Sequence, residues 1–567
     1  MQCLDARRLT GPNVLWDKPG SILDVSCTAD EADRVIPFCE SKIRAMLDAV
    51  GWDQETVCHI RLAGGVSIAF SGPIDALYAA SAINEWVWAC CDAEFNGAES
   101  PNFDEKVTEI KEAIVEEVNP PLLALERAAA EHGVTFLWDD DEASIGLGTG
   151  SQTWPFRELP DPADIDWSAF HDIPVGIVTG TNGKTTTVRI AKHILQTAGR
   201  NVGMSCTDWV SVNDRIIDRD DWSGPGGARM VLRQKDVDVA ILETARGGLL
   251  RRGLGVNTAD ASLITNIAED HIGDFGSQNV AELLNIKWVI SHAVAASGVL
   301  ILNADDALLV GKSAEFSGTL VWFSLDENNS VVADHVRNGG LAFVYSANDL
   351  VRIEGDTREV ICNASEVPIS LDGVATHNIA NALAAAALTG QLGMSLDDIR
   401  KGLTTMSQDA NPGRSNLFQV RGFKVLVDFA HNPEAMQALF AMASAMPAKR
   451  RVLCFGQAGD RTDEQIRELA QSAWAMGLEL ACISELAQYR RGREEGEVYA
   501  MLRQELLHRG AREDQILYFT EESDSFDAAL NWAEEGDLVV ILDLGRNSDI
   551  QTRLKKLGTD PTQKGRG

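Results

Sequence analysis

The segment spanning residues 175–199, VGIVTGTNGKTTTVRIAKHILQTAG, constrains this chain more than any other. A short apolar run (Val175, Ile177, Val178) leads directly into Gly180-Thr181-Asn182-Gly183-Lys184-Thr185-Thr186. Val188, Ala191, Ile194, Leu195 and Ala198 then follow at helical spacing. Strand, glycine loop and helix in that order make a phosphate-binding loop. Gly180 and Gly183 let backbone N–H groups close around phosphate oxygens, and the helix N-terminus adds partial positive charge. Lys184 is then expected to reach the β and γ phosphates of a nucleotide, and Thr185 to ligate Mg2+. The general spacing of such loops places the first glycine at position 178, which is Val178 here, so the loop is a shorter variant. An ordinary tight turn before a helix is the alternative; Gly-Lys-Thr-Thr directly after an apolar strand favours nucleotide binding.

The rest of the 567 residues is enough for three to four domains at about 150 residues each. With 45% hydrophobic and 24% charged residues, the chain is an ordinary globular one, not a disordered segment, a collagen or a coiled coil. Its 84 Asp and Glu outweigh 50 Lys and Arg, a net charge of −34, which repels phosphate backbones and anionic membrane surfaces and argues against nucleic-acid or membrane partners. Ten cysteines without a CxxC pair or zinc-like spacing read as small buried hydrophobes in a reducing compartment. No signal-peptide pattern and no apolar run of about 18 residues is present, so a cytoplasmic protein is expected.

Residues 1–165 carry mixed signals of an α+β N-terminal domain. Alternation on either side of Gly64-Gly65 predicts a hairpin, followed by a helix from Ile74 to Cys91. Phe103 to His132 reads as an acidic helical segment broken by Pro120-Pro121. The Pro- and Asp-rich stretch from Leu159 to Pro174 reads as a linker. From Val175, apolar runs alternate with helical patterns, predicting an α/β P-loop domain over 170–412 with strands at Val175–Thr179, Val237–Leu242, Ser262–Ile267 and Val299–Leu302. Residues 413–567 restart the alternation (VLVDF, VLCF, LACIS, ILYF, LVVILDL) and predict a separate Rossmann-like domain, with helices beginning near Pro433, Thr462, Glu494 and Ser523. A phosphate-bound metal needs oxygen or nitrogen ligands at neighbouring strand ends. Glu243, closing one P-loop strand, and His271, just beyond another, are candidates; a surface carboxylate and a satisfied loop histidine are the alternatives.

GTNGKTT at 180–186, Glu243, NIAEDH at 266–271, Lys287, HNIAN at 377–381, Pro412-Gly413-Arg414 and DFAHNP at 428–433 together resemble the Mur ligase family of ATP-dependent amide ligases. Within it, VGMSCTDWV, SGPGGAR, AILETARGGLLRRGL, EDHIGDFG, GQAGDRTDEQIR and RGREEGEV are similar to the ligase half of cyanophycin synthetases. RRLTGPNVLWDKPG near the start is similar to their N-terminal domain. Those enzymes carry an ATP-grasp module between the two parts; here only the stretch before Pro174 lies between, so the aspartate-adding activity of that module is expected to be absent. Ser205-Cys206-Thr207-Asp208-Trp209 departs from the family, which tends to have a threonine-rich stretch ending in Asp-Gly; a different acceptor is one meaning of Trp209.

The resemblance implies roles. Thr185 and Glu243 hold one Mg2+, His271 a second, and Lys287 either bridges that second ion as a carbamate or is a plain packed lysine. Asn378 and Asn381 meet the adenine, unless they are helix residues facing solvent. Arg414 reaches phosphate when a hinged C-terminal domain closes, and Asp428 meets the ribose. His431 and Asn432 complete that loop. Asp460, Arg461, Arg491 and Arg493 hold the incoming amine substrate, solvated surface arginines being the alternative. The implied reaction joins an amino acid to a carboxylate of an aspartyl or peptide-like acceptor through an acyl phosphate, with ATP and Mg2+. A glutamyl-adding ligase and an ATP-gated scaffold without chemistry are the rivals, and a homo-oligomer is expected.

Overall fold

Val57–Leu62 and Gly65–Ser71 form the hairpin that their alternation predicts, paired from Val57 with Phe70 to Leu62 with Gly65. The turn lies one residue earlier than the Gly-Gly dipeptide suggests. Gly65 already belongs to the second strand, where a Cβ would lie 2.0 Å from the Val25 carbonyl oxygen, so this glycine serves close strand approach. Gln2–Leu9 and Gly20–Ser26 complete a four-stranded antiparallel sheet. Helices Ala29–Val50 and Leu77–Asn96 pack on one face, burying Val35, Ile43, Leu47, Ile83 and Val87 against Ile68 and Phe70. The second helix starts three residues after Ile74 and runs past Cys91 to an αL cap at Gly97. The acidic segment divides where its prolines require: Phe103–Glu117 is capped by Asn102, and Pro120–Glu131 by Asn119 with proline at its first turn. Phe136–Trp138, Glu142–Ile145 and Gln152–Pro155 add a small antiparallel sheet. The stretch expected as a linker folds into turns, with the Trp167 ring stacked 4.2 Å from that of His132.

The P-loop sheet places Val175–Thr179 between Val239–Glu243 and Ala259–Ile264, all parallel. Val202–Ser205 flanks Val239–Glu243, while Val294–Asn303, Thr319–Ser324 and Leu341–Ser346 extend the other side. An antiparallel pair, Val210–Val212 and Arg215–Asp218, closes one edge. Strand order thus reverses around the P-loop strand, and its C-terminal end is the crevice where open α/β sheets bind ligands. The N-terminal part is fastened to this one: Arg7 donates to the Leu250 carbonyl at 2.8 Å, Thr10 N to the Arg252 carbonyl at 2.8 Å, and Arg233 to Asp139 at 2.5 Å.

The C-terminal sheet runs in the spatial order Asn416–Val420, Phe423–Asp428, Leu538–Leu542, Arg451–Phe455, Leu480–Ser484, Ile516–Phe519. All five expected strands are present and parallel to their neighbours. Asn416–Val420, unforeseen, adds an antiparallel edge. Helices Pro433–Ala445, Asp463–Ala475 and Glu497–His508 bury one face and Glu522–Trp532 with Ser548–Gly558 the other, a doubly wound arrangement. The fold is α/β: a P-loop domain and a Rossmann-like C-terminal domain, preceded by α+β structure.

The computed structural model describes residues 1–270, 273, 277–545 and 548–558. It comprises two compact units. One holds residues 1–344, 352–359 and 383–399; the other holds 345–351, 360–382 and the chain from 400 onward. All ten cysteines are free thiols. Among the described residues no helix is long and apolar enough to cross a membrane.

Candidate active site

In the first unit, helix Lys184–Thr197 starts at Gly183, whose φ of +84° needs no side chain and supplies no side-chain cap. The helix N-terminus thus carries no side-chain cap and presents its partial positive charge where an anion suits it. Preceding residues are knitted to the Thr265–Ala268 loop. Thr181 N donates to the Asn266 carbonyl at 2.9 Å, Asn182 N to Asn266 Oδ1 at 2.8 Å, and Thr265 Oγ1 to the Asn182 carbonyl at 2.6 Å. Part of the NIAED motif is thus a brace for the P-loop. Lys184 Nζ donates to the Thr181 carbonyl at 2.9 Å.

Glu243, 1% exposed, ends the strand beside the P-loop strand, in register with Val178. Thr207 aims its carboxylate, donating from Oγ1 at 2.7 Å and from its backbone N at 3.3 Å. The turn bearing Thr207 is anchored in turn by Arg189 of the P-loop helix. This guanidinium, 2% exposed, pairs with Asp208 at 2.5 Å and lies 4.2 Å from the centre of the Trp209 ring. Trp209 therefore acts first as part of the clamp on Glu243. Thr207 and Arg189 went unseen as site residues in the sequence; their only signal was the unusual Ser-Cys-Thr-Asp-Trp run.

Lys287, on helix Val280–Trp288, is 3% exposed and donates from Nζ to the Gly180 carbonyl at 2.7 Å. Burial first, then the Lys184 ammonium, hold its pKa well below the ordinary 10.5, against the pull of Asp270 and Glu243. Lys184, Glu243 and Lys287 are thus brought together. His271 lies outside the described residues.

The depressed Lys287 pKa has a consequence for stability. Between the folded-state value and 10.5 the unfolded chain binds a proton that the folded chain refuses, so burial costs stability there, and the cost fades as pH rises toward 10.5. Lys287→Gln, which keeps a donor for Gly180, is expected to melt above the wild type at about pH 7, with the gap narrowing by about pH 10. Thermal melts showing the same gap at both pH values would reject a proton-poor amine.

The residues present suit a magnesium nucleotide. Among the described residues no group of three or more His, Cys, Asp or Glu side chains could hold a metal by itself. Mg2+ commonly takes only one or two protein ligands beside phosphates and water. Glu243 offers an aimed carboxylate, and the Thr185 hydroxyl has no hydrogen-bond partner among the described residues.

The second unit carries the remaining candidates. Asn378 and Asn381 are buried rather than solvent-facing: Asn378 Nδ2 donates to the Ile369 carbonyl at 2.9 Å, and Asn381 Nδ2 to Asn378 Oδ1 at 3.3 Å. Asp428 accepts from Ser415 N at 2.6 Å and Ala430 N at 2.7 Å. Ser415, a residue the sequence did not single out, holds a φ of +51° and joins Asp428 to His377, whose Nε2 is 3.0 Å from Ser415 Oγ. Burial lowers the His377 pKa, with Asp428 opposing. The Arg414 guanidinium lies 4.8 Å from the Phe429 ring centre. Asn432 caps helix Pro433–Ala445 through Ala435 N, and His431 Nδ1 is 3.1 Å from the Phe429 carbonyl oxygen.

Arg493 is committed to protein partners: the carbonyls of Gly459 and Arg461 at 2.8 Å each, Glu497 at 2.7 Å and Asp463 at 2.9 Å. Arg491 pairs with Asp460. Arg493 braces this loop, while Arg491 is exposed beside Asp460.

Comparison with known proteins matches residues 178–389 to the Mur ligase middle domain and 413–542 to the Mur ligase glutamate ligase domain. The chain is 34% identical over 371 residues to a cyanophycin synthetase of Crocosphaera subtropica, covering 65% of this chain and 42% of that protein. It is 36% identical over 373 residues to one from Synechocystis sp., again 65% and 42%. A UDP-N-acetylmuramoyl-L-alanyl-D-glutamate–2,6-diaminopimelate ligase of Alkaliphilus metalliredigens is 24% identical over 385 residues, 66% of this chain and 72% of that one. The match thus spans less than half the length of the cyanophycin synthetases. Because one domain model falls on the braced P-loop with its aimed glutamate and the other on the C-terminal sheet, in chain order, the chain belongs to the Mur ligase family.

Proposed function

We propose that this protein is an ADP-forming amide ligase that joins an amino acid to a carboxylate of an aspartyl or peptide-like acceptor. The acceptor carboxylate takes the γ-phosphoryl group of ATP as an acyl phosphate, and the incoming amine displaces phosphate to leave the amide. The observation that carries this reading is the meeting of a P-loop helix without a side-chain cap, the Thr207-aimed Glu243 of the neighbouring strand and the buried Lys287 on the Gly180 carbonyl. A nucleotide-binding scaffold has no need of the last two.

Two anions must meet in the first step, so positive charge has to be in place before reaction. Lys184 supplies part of it by leaving the Thr181 carbonyl for phosphate oxygens. Mg2+, held by Thr185 and Glu243, supplies charge neutralisation of the transferring group when bound. Thr207 and Arg189 fix Glu243 beforehand, so that little reorganisation is left to the reaction. Gly180, Thr181, Asn182, Gly183 and Thr186 shape the phosphate cradle. By its likeness to the family, the second unit would contribute Asn378 and Asn381 to adenine, Asp428 to ribose, Arg414 to phosphate, and the Asp460–Arg491 loop with His431 to the amine substrate. We place the enzyme in the cytoplasm.

The test is phosphate release with ATP and Mg2+ against amino acids crossed with aspartyl and glutamyl peptides, with mass spectrometry of each positive well. Turnover is expected only when amine and carboxylate are both present, with a product heavier by one amino acid minus water. ATP turnover indifferent to both would reject the ligase reading.

A further inference from the structure

A cavity of about 370 Å³ opens along the seam where the N-terminal part meets the P-loop part of the first unit. That is within the size range of small-molecule sites. Its walls are mixed, apolar at Ile74, Phe136, Leu254 and Val256 and polar at Thr135 and Asn257. Four ionisable side chains line it: Asp17 is exposed to solvent, Asp172 is held by Thr135, and Glu126 and Arg229 are half-buried without partners among the described residues. Arg229, half-buried on helix Pro225–Leu232, makes no ion pair or guanidinium hydrogen bond among the described residues. The carboxylates nearest in its field are already taken, Asp139 by Arg233 at 2.5 Å and Asp140 by Arg8. Glu126, half-buried on helix Pro120–Glu131, is likewise without a partner among the described residues.

These two groups do not neutralise each other. The field on Glu126 comes from Asp75 and Arg127, and burial with Asp75 raises its pKa; the field on Arg229 comes from Asp139, Arg233, Asp140 and Arg252, and burial lowers its pKa. Half-buried charges with no counter-charge in hydrogen-bond contact are costly, and folded proteins rarely keep them without a use. A ligand that brings an anion to one and a cation to the other removes both costs together, and the apolar part of the lining suits aliphatic side chains.

We infer that this cavity binds a zwitterion of dipeptide size, its carboxylate on Arg229, its ammonium on Glu126 and its apolar side chains on the walls. None of the lining residues belongs to the P-loop or to the Glu243 and Lys287 cluster, so the site is separate and does not rest on the ligase reading.

The test uses the full-length chain without nucleotide, titrated calorimetrically with alanyl-leucine, its N-acetyl form and its C-terminal amide. The wild type is expected to bind the free dipeptide and to prefer it about tenfold or more over either blocked form. Arg229→Gln should erase the preference for the free carboxylate and keep that for the free amine; Glu126→Gln should do the reverse. Because neither side chain has a protein partner to lose and each carries a burial cost, both variants should melt at or slightly above the wild-type temperature. Absence of binding to the wild type up to about 10 mM overturns the proposal. So do variants that keep both preferences, whether or not their melting temperature falls.

Discussion

Lys184→Ala protein is expected to lose ATP turnover by about 10²–10³-fold while keeping its fold. The ammonium is the one P-loop side chain able to follow charge onto the transferring phosphoryl group, and alanine leaves the backbone cradle intact. Among the described residues its hydrogen bond is the one of 2.9 Å to the Thr181 carbonyl, a single contact to lose. Removing it also relieves repulsion on Lys287. The melting temperature should therefore hold or rise slightly, and the Lys287 pKa should move up. An ADP-coupled assay and a circular-dichroism melt on the same preparation decide the matter. Unchanged amide synthesis would sink the assignment, and loss of activity together with loss of fold would show Lys184 to be structural instead.

Gly180→Ala carries the largest expected structural effect. Gly180 has a φ of +146°, and a Cβ there would lie 1.9 Å from Thr265 Oγ1. Thr265 cannot simply swing away, since its hydroxyl donates to the Asn182 carbonyl at 2.6 Å within the loop itself. Backbone strain and overlap together are expected to cost about 3 kcal/mol or more. That corresponds to a fall in Tm of roughly 6–12 °C, with nucleotide binding lost. Adding Thr265→Ala removes the overlap but not the strained φ, so the double variant should recover part of the Tm and little of the binding. Wild-type nucleotide affinity in Gly180→Ala would mean that the loop's shape is not what holds phosphate.

Much of the site was readable before any fold was known, because its first layer is local. Strand, loop and helix around Lys184 are contiguous, and the caps at Asn102 and Asn119 and the break at Pro120 act within one turn. Glu243 was found as a strand end. Its orientation was not, because Thr207 is 36 residues away and meets it only once Val202–Ser205 and Val239–Glu243 pair. The Asn416–Val420 strand was missed for a related reason: its residues are only partly apolar, and pairing with Phe423–Asp428 rather than composition makes it a strand. The same holds for Arg493. Its place in a cluster of arginines was visible, and Glu497 is four residues on, whereas Gly459, Arg461 and Asp463 are 30 to 34 residues away and meet it only in the folded C-terminal domain.

Sequence alone therefore determined the locally specified elements, the phosphate loop and the family resemblance, since propensity, capping and glycine conformations are decided by neighbours along the chain. The clamp on Glu243, the depressed Lys287, the Ser415 bridge and the cavity at the N-terminal seam were decided by tertiary structure. Hydrogen bonds and desolvation depend on distances of a few ångströms, which strand order and packing set and sequence spacing does not.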